Sequence, residues 1–293
     1  LGENARGAGD DAALLDVPAG HKLAVSTDTS VENVHFKREW MTFHEIGYRA
    51  TAAALSDLAA MGASPLGAVI AIAIPPSDTD ALNELARGAG EAAAASGTVI
   101  VGGDLSSSDI LAVTVTVFGS TQRPLLRSGA RVGDQLYVTG TLGASHSALT
   151  ALQNGKKPSA AAREKFVHPT PRIREGLWLA KQGASACIDV SDGALGDLRH
   201  VAHASGVHIM VMGQLLPVFE GASIEMALLS GEEYELCATS PGELDTEEFR
   251  REFGIPLTLI GHVMASDKPE VTIGMNAMFR ELGGFNHFGN DHK

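Results

Sequence analysis

The sequence predicts a mixed α/β protein, α+β in detail, built as two domains, and three observations carry that prediction. Apolar runs that stop at Gly-, Pro- or Asp-rich turns alternate with stretches in which apolar residues recur at intervals of three and four. The chain has 293 residues, 44% of them hydrophobic, which is enough for two cores of ordinary size. Between Gln122 and Gly133 the composition turns polar and basic, with Arg123, Arg127 and Arg131, as a linker would. The expected domains are residues 1–128 and 129–293.

Taken in order, Leu23–Asp28 is apolar and ends at an acidic turn, as a strand delivering a carboxylate at its C-terminal end would. From Thr42 to Met61 the residues Ile46, Ala50, Ala53, Ala54, Leu58 and Met61 repeat at three and four, and Gly62 with Pro65 closes this helix. A strand over Leu66–Ile74 stops at Pro75-Pro76. Asp80–Ser96 reads as an Ala-rich helix, Thr98–Val101 as a short strand, and Ile110–Phe118 as a strand with clean alternation. Past the linker come a strand at Gln135–Thr139, a helix after Gly143, a proline-rich turn at His168–Pro171 and a helix to Gln182. Ala186–Val190, Ser191-Asp192-Gly193 and Ala194–Ser205 form a strand, turn and helix whose N-terminal N–H groups suit an anion. Strands at Tyr234–Ala238, Leu257–His262 and Val271–Ile273 and a helix over Leu244–Phe253 complete the pattern.

Charge narrows the function classes. With 22 Lys+Arg against 35 Asp+Glu the net charge is −13, so the bare surface repels nucleic acid and anionic membrane. No apolar run approaches the roughly 20 residues of a spanning helix. Cys187 and Cys237 lie apart in apolar segments with no Cys-x-x-Cys spacing, and read as reduced core residues. The cytoplasm is the default location.

Candidate chemistry lies in five aspartate-bearing segments beside glycine or small residues: Asp10-Asp11, Ser26-Thr27-Asp28, Ser56-Asp57, Gly102-Gly103-Asp104, and Asp189 with Ser191-Asp192-Gly193. Carboxylates gathered without cationic partners repel one another. If they share a site they need an outside cation, and hydrated Mg²⁺ suits oxygen donors. Neither a P-loop nor Gly-x-Gly-x-x-Gly is present, so a nucleotide would rest on aspartate-held Mg²⁺, glycine N–H groups and a few arginines. Each aspartate also has a structural reading. Asp10-Asp11 suits a solvated turn and Asp28 a strand end. Gly102-Gly103-Asp104 suits an ordinary turn, and Ser191 or Asp192 a helix cap. Asp57 is harder to dismiss, because it interrupts an apolar helix face where a lone carboxylate is costly. Glu232, Glu233 and Glu235 alternate with apolar residues, as the solvated face of a half-exposed strand does. His35 beside Phe36 suits a packed residue, and the remaining histidines form no ligand set.

The order of these segments resembles a known family. Gly-Asp-Asp-Ala-Ala-Leu-Leu, Ser-Thr-Asp-Thr-Ser-Val-Glu-Asn-Val-His-Phe, Leu-Ser-Asp-Leu-Ala-Ala-Met-Gly-Ala, Val-Gly-Gly-Asp, Arg-Ser-Gly-Ala-Arg-Val-Gly-Asp, Ile-Asp-Val-Ser-Asp-Gly and Gly-Glu-Glu-Tyr-Glu-Leu are similar to the motifs of the thiamine-monophosphate kinases, nearly end to end. The resemblance implies an aminoimidazole ribonucleotide synthetase-like fold and a homodimer that pairs its N-terminal sheets. It also implies that ATP and thiamine monophosphate meet in a cleft between domains. Carried over motif by motif, Asp11, Ser26, Thr27, Asp28, Asp57, Asp104, Asp189 and Asp192 would hold several Mg²⁺ ions, with K⁺ as a further candidate. Of these, Asp57, Asp104 and Asp192 would be the catalytic centre. Gly103, Asp104, Arg127 and Ser191 would contact ATP, while His35, Glu232 and Phe285 would line the thiamine phosphate pocket. The chain departs from the family where Glu233 replaces the usual Asp, Ala54 an Asn, and Phe285 and Asn286 the usual Tyr and Asp; the family's helix before Gly-Asp-Asp is also not part of this sequence. Two alternatives stay open: an aminoimidazole ribonucleotide synthetase-like enzyme, and a catalytically silent nucleotide- or metal-binding protein.

Overall fold

The structure, a computed structural model, describes residues 12–274. Two compact units divide it. The first comprises residues up to Pro124 together with Val167–Leu177; the second comprises Leu125–Phe166 and the residues from Trp178 on.

The first unit carries β1 (Lys22–Val31), α1 (Phe43–Ala60), β2 (Ser64–Ile74), α2 (Leu82–Ala95), β3 (Ile100–Ser107) and β4 (Ala112–Thr121). Its four strands lie in the order β1-β4-β2-β3, with β4 antiparallel to both neighbours and β3 parallel to β2. The parallel pair needs a crossover, which α2 supplies. At the start of α1, Thr42 accepts from the Glu45 N–H and the Glu45 side chain accepts from the Thr42 N–H, a reciprocal cap. Beneath the helix, Leu55, Leu58 and Ala59 bury fully, as do the inward residues Val113, Val115 and Val117 of β4. The two helices cross where neither has a side chain. A Cβ on Gly47 would sit 2.0 Å from the Leu85 carbonyl oxygen, and one on Gly88 would sit 1.9 Å from that of His44.

Two expectations for this unit are corrected. β1 runs on to Val31, so Asp28 lies mid-strand opposite Val115 rather than at a strand end. Gly102-Gly103-Asp104 is not a turn but the middle of edge strand β3, paired with Val69, Ile70 and Ala71. Turn propensity loses there to the ladder, and Gly103 is what lets the strands close, since its Cβ would stand 2.0 Å from the Ile70 carbonyl oxygen.

The second unit holds β5 (Gln135–Thr139), α3 (Ala144–Gln153), β6 (Ala186–Asp189), α6 (Ala194–Ser205), β7 (His208–Val211), α7 (Ile224–Leu229), β8 (Leu236–Ser240), α8 (Thr246–Phe253), β9 (Leu257–Met264) and β10 (Glu270–Ile273). In sequence, α4 (Ala160–Val167) and α5 (Ile173–Lys181) fall at the junctions between the units. The sheet order is β10-β7-β9-β5-β8-β6, antiparallel except for β10 with β7. Leu136, Val138, Ile188, Val190, Leu198, Val201, Ile209 and Ile260 form its core. Cys187 and Cys237 are free and buried, Cys237 within that core, and burial pushes both thiols up. Trp178 packs edge-on against Phe249 at 5.2 Å between ring centres.

A third correction concerns Glu232–Glu235. The strand starts only at Leu236, because Glu232 and Tyr234 adopt left-handed φ values of 57° and 53°. Glu233 and Glu235 are 6% and 1% exposed, so the solvated acidic face expected there does not exist. Among the described residues no helix is long and apolar enough to cross a membrane.

Candidate functional site

In the first unit the site residues hang from β1, α1 and β3. Strand alternation sends Ser26 and Asp28 to one face of β1, and Ser26 Oγ donates to Asp57 Oδ2 at 2.5 Å. The carboxylate that interrupts the apolar face of α1 is thereby met by a hydroxyl from the strand it covers. Thr27 turns the other way and shares a 2.9 Å hydrogen bond with the Thr116 hydroxyl. Asp104 is exposed on β3, at the opposite edge of the sheet from Asp28. Three strand spacings separate those edges, about 14 Å along the sheet.

His35 lies just past β1, in a loop held from several sides. Its Nδ1 accepts from the Val31 N–H at 3.1 Å, and Arg49 Nη1 on α1 donates to its carbonyl at 2.9 Å. Glu32 anchors the same loop, bonding Arg38 Nε at 2.6 Å through one oxygen and accepting the Leu111 N–H at 3.2 Å through the other.

In the second unit the end of β6 runs into a turn that collects the remaining acids. Asp189 is buried, and Ser191 and Asp192 are half-buried. Neither of the latter caps α6, contrary to expectation. Its N-cap is Gly193, without a side-chain hydrogen bond. Instead Asp197, in the first turn of α6, folds back so that its Oδ2 accepts the N–H groups of Ser191 at 3.0 Å and Asp192 at 3.1 Å. Burial pushes the Asp197 carboxyl up to about 8, helped by the charges of Asp189 and Asp192 and opposed by those two N–H groups. Sequence reasoning missed Asp197; an acid one turn into a helix that follows a small-residue turn is the signal that could have found it.

The turn from Gly231 to Tyr234 wraps this same loop. The Glu232 N–H donates to the Ser191 carbonyl at 2.8 Å, and the Glu233 and Tyr234 N–H groups donate to the Val190 carbonyl at 3.1 and 2.9 Å. Glu232 is therefore brought directly against Ser191. Glu233 points inward: its Oε1 accepts from Gly143 and Ser145 N–H, each at 2.9 Å, and from the Ser230 hydroxyl. Burial pushes Glu233 up to about 7, against the pull of Ser230, Ser145, Lys165 and Gly143. Glu235 is held by the Thr139 hydroxyl at 2.7 Å and by Lys165 at 3.2 Å.

Arg127 is exposed and is not brought to this loop. Its carbonyl accepts from Ser205 at the far end of α6, and the helix rise separates Ser205 from the Asp192 turn by roughly 16 Å. Asp11 and Phe285 lie outside the described residues. Among the described residues no three His, Cys, Asp or Glu side chains converge as a metal cage. A hard cation there would draw its remaining ligands from water or from a phosphate, as Mg²⁺ commonly does.

The chain matches the AIR synthase related protein, N-terminal domain, over residues 9–121 and the AIR synthase related protein, C-terminal domain, over residues 131–274. It is 35% identical to the thiamine-monophosphate kinase of Bacillus subtilis (strain 168), covering 96% of this chain and 93% of that protein. Among solved structures it resembles the thiamine-monophosphate kinase from Stenotrophomonas maltophilia K279a, with a TM-score of 0.84, 32% identity, and 91% of this chain and 89% of that one covered. It also resembles AaThiL complexed with AMPPCP and TMP, with a TM-score of 0.82, 30% identity, and 94% and 90% covered.

Proposed function

We infer the activity of this chain from the family to which it belongs, the thiamine-monophosphate kinases among the AIR synthase related proteins: it transfers a phosphoryl group from ATP to thiamine monophosphate, giving thiamine diphosphate and ADP. The observation that carries this reading is the near-full-length likeness to a structure complexed with AMPPCP and TMP, an ATP analogue and the acceptor.

The acceptor itself makes a general base unnecessary. A phosphate monoester has its second pKa near 6, so at neutral pH it is already mostly a dianion and needs no such base. Transfer is then a direct in-line displacement: an oxygen of the acceptor phosphate bonds to the γ-phosphorus as the bond from that phosphorus to the β,γ-bridging oxygen breaks. The difficulty is bringing two anions together, which costs several kcal/mol at an effective dielectric near 20.

Mg²⁺, when bound, would supply the positive charge that offsets this repulsion. The residues fit such an ion: their donors are oxygens, Asp57 carries a hydroxyl partner, and the charges of Asp189 and Asp192 crowd Asp197. In this reading Asp11, Ser26, Asp28, Asp57 and Asp104, with Asp189 and Asp192, hold several Mg²⁺ ions directly or through water, with K⁺ as a further candidate. Thr27, whose hydroxyl is shared with that of Thr116, belongs to the same set. Gly103, Arg127 and Ser191 bind ATP. His35 lines the thiamine phosphate pocket, Glu232 sets its carboxylate toward the cationic thiamine, and Phe285 supplies a stacking face. The active form is a homodimer that pairs the N-terminal sheets. Exposed Leu23 and Val25 on β1 support that pairing.

The test is incubation with ATP, Mg²⁺ and thiamine monophosphate, with chromatography of the products. Thiamine diphosphate and ADP in equal amounts are expected; ATP binding without turnover, or neither binding nor product, overturns the reading.

A further inference from the structure

The Ser230–Glu235 segment, which joins α7 to β8, contains two non-glycine residues in the left-handed region with a buried carboxylate between them. Left-handed conformations are strained for residues that carry a Cβ, so the turn persists only if its surroundings hold it. We propose that Glu233 and Ser145 are positioning residues that lock this turn to the first turn of α3, and thereby fix Glu232 against Ser191.

Glu232 is gripped through both of its backbone groups. Its N–H donates to the Ser191 carbonyl at 2.8 Å, and its carbonyl accepts from Ser145 Oγ at 2.8 Å. Ser145 is in turn placed by Glu233, whose Oε1 takes the Ser145 and Gly143 N–H groups at 2.9 Å each. Ser230 closes the ring: its hydroxyl donates to Glu233 and accepts the His146 N–H at 3.0 Å. Hydrogen bonds to a carboxylate at a helix N-terminus are among the stronger ones available, and here they offset the strain of the turn. The N-terminus of α3 already holds the chain's own anion, so it is not a phosphate cradle. With the backbone of Glu232 fixed at both ends, only its side-chain torsions can still vary.

This inference rests on the reading that Glu232 contacts thiamine monophosphate, so its experiment has one arm that needs no activity. In the ligand-free protein, amide hydrogen exchange is followed at Glu232, Glu233 and Tyr234 in the unaltered chain, Ser145→Ala and Glu233→Ala. Protection at these amides is expected to fall at least tenfold in both variants, with the strands of the sheet unchanged. Unchanged protection overturns the proposal, whether or not the chain is a kinase. In the second arm, Ser145→Ala is expected to raise KM for thiamine monophosphate about five- to tenfold while KM for ATP stays within twofold, and Glu233→Asp is expected to recover part of the loss of Glu233→Ala. Adding Ser145→Ala to Glu232→Ala should then change nothing further. Equal shifts in both KM values, or full additivity, mean a merely structural role and overturn the proposal. Failure of the unaltered chain to form thiamine diphosphate strikes the kinase reading and leaves the exchange result to decide the positioning. Should Glu233→Ala fail to fold, Ser145→Ala, which removes a single hydroxyl, carries both arms.

Discussion

Replacing Glu233 by Gln should change how the second unit's stability depends on pH, by an amount that the burial of this one carboxyl sets. In the folded protein the group is pushed from an ordinary 4.5 up to about 7. The folded chain therefore holds the proton more tightly than the unfolded one. The resulting stabilisation is complete below about 4.5 and is lost as pH rises through 7. At about 1.4 kcal/mol for each tenfold change in proton affinity, the full effect is about 3 kcal/mol, and most of it disappears between pH 5 and pH 8. Gln does not titrate, and its amide oxygen can still accept from Gly143, Ser145 and Ser230. The difference in unfolding free energy between Glu233→Gln and the parent should thus move by roughly 2–3 kcal/mol in favour of Gln from pH 5 to pH 8. Urea unfolding in a Trp40→Phe background, followed by the fluorescence of Trp178 in the second unit, measures it. Subtracting the parent cancels every other titrating group. Parallel pH–stability curves would refute the claim that burial outweighs the three hydrogen bonds on this carboxylate.

Four further outcomes are expected. Asp57→Asn and Asp104→Asn should each lower thiamine diphosphate formation at least a hundredfold while moving the unfolding free energy by no more than about 1 kcal/mol, because an amide oxygen at position 57 still accepts from Ser26 and Asp104 is exposed. Near-normal turnover in both would sink their assignment to Mg²⁺. Gly47→Ala should destabilise the first unit by at least about 3 kcal/mol, measured by chemical denaturation, since the added methyl would stand 2.0 Å from a carbonyl oxygen on α2. Asp197→Ala strips the acceptor from the Ser191 and Asp192 N–H groups and should raise the Mg²⁺ concentration for half-maximal activity several-fold, read by titration. The proposed sheet pairing predicts that the parent sediments as a dimer and Val25→Asp as a monomer at the same concentration, and a monomeric parent would overturn it.

Local pattern was enough for several elements of this fold. The helix carrying Asp57 was legible because Ile46, Ala50, Ala54 and Leu58 recur at helical spacing beneath a capping Thr42. Ala194–Ser205 was legible down to its ends, because glycines bracket it. The Gly-Gly-Asp segment misled, since glycine pairs mark turns when read alone, whereas here the missing Cβ serves close approach to β2. The acidic run after Ser230 misled for a related reason. Alternation of Glu with apolar residues looks the same whether the acids meet water or meet the N–H groups of a helix that begins 90 residues away.

Sequence by itself determined the longer helices, most of the strands, the two-part organisation and the order of acidic motifs that names the family, since these rest on composition and on spacing along the chain. Tertiary structure alone decided what each acid touches. Ser26 reaches Asp57 across 31 positions, and Asp197 turns back on the loop before it. Glu233 spends its charge on α3, leaving Glu232 beside Ser191. The physical reason is that a carboxylate's role is set by its desolvation and by the donors within about 3 Å, and both are fixed by segments that meet only once the chain has folded.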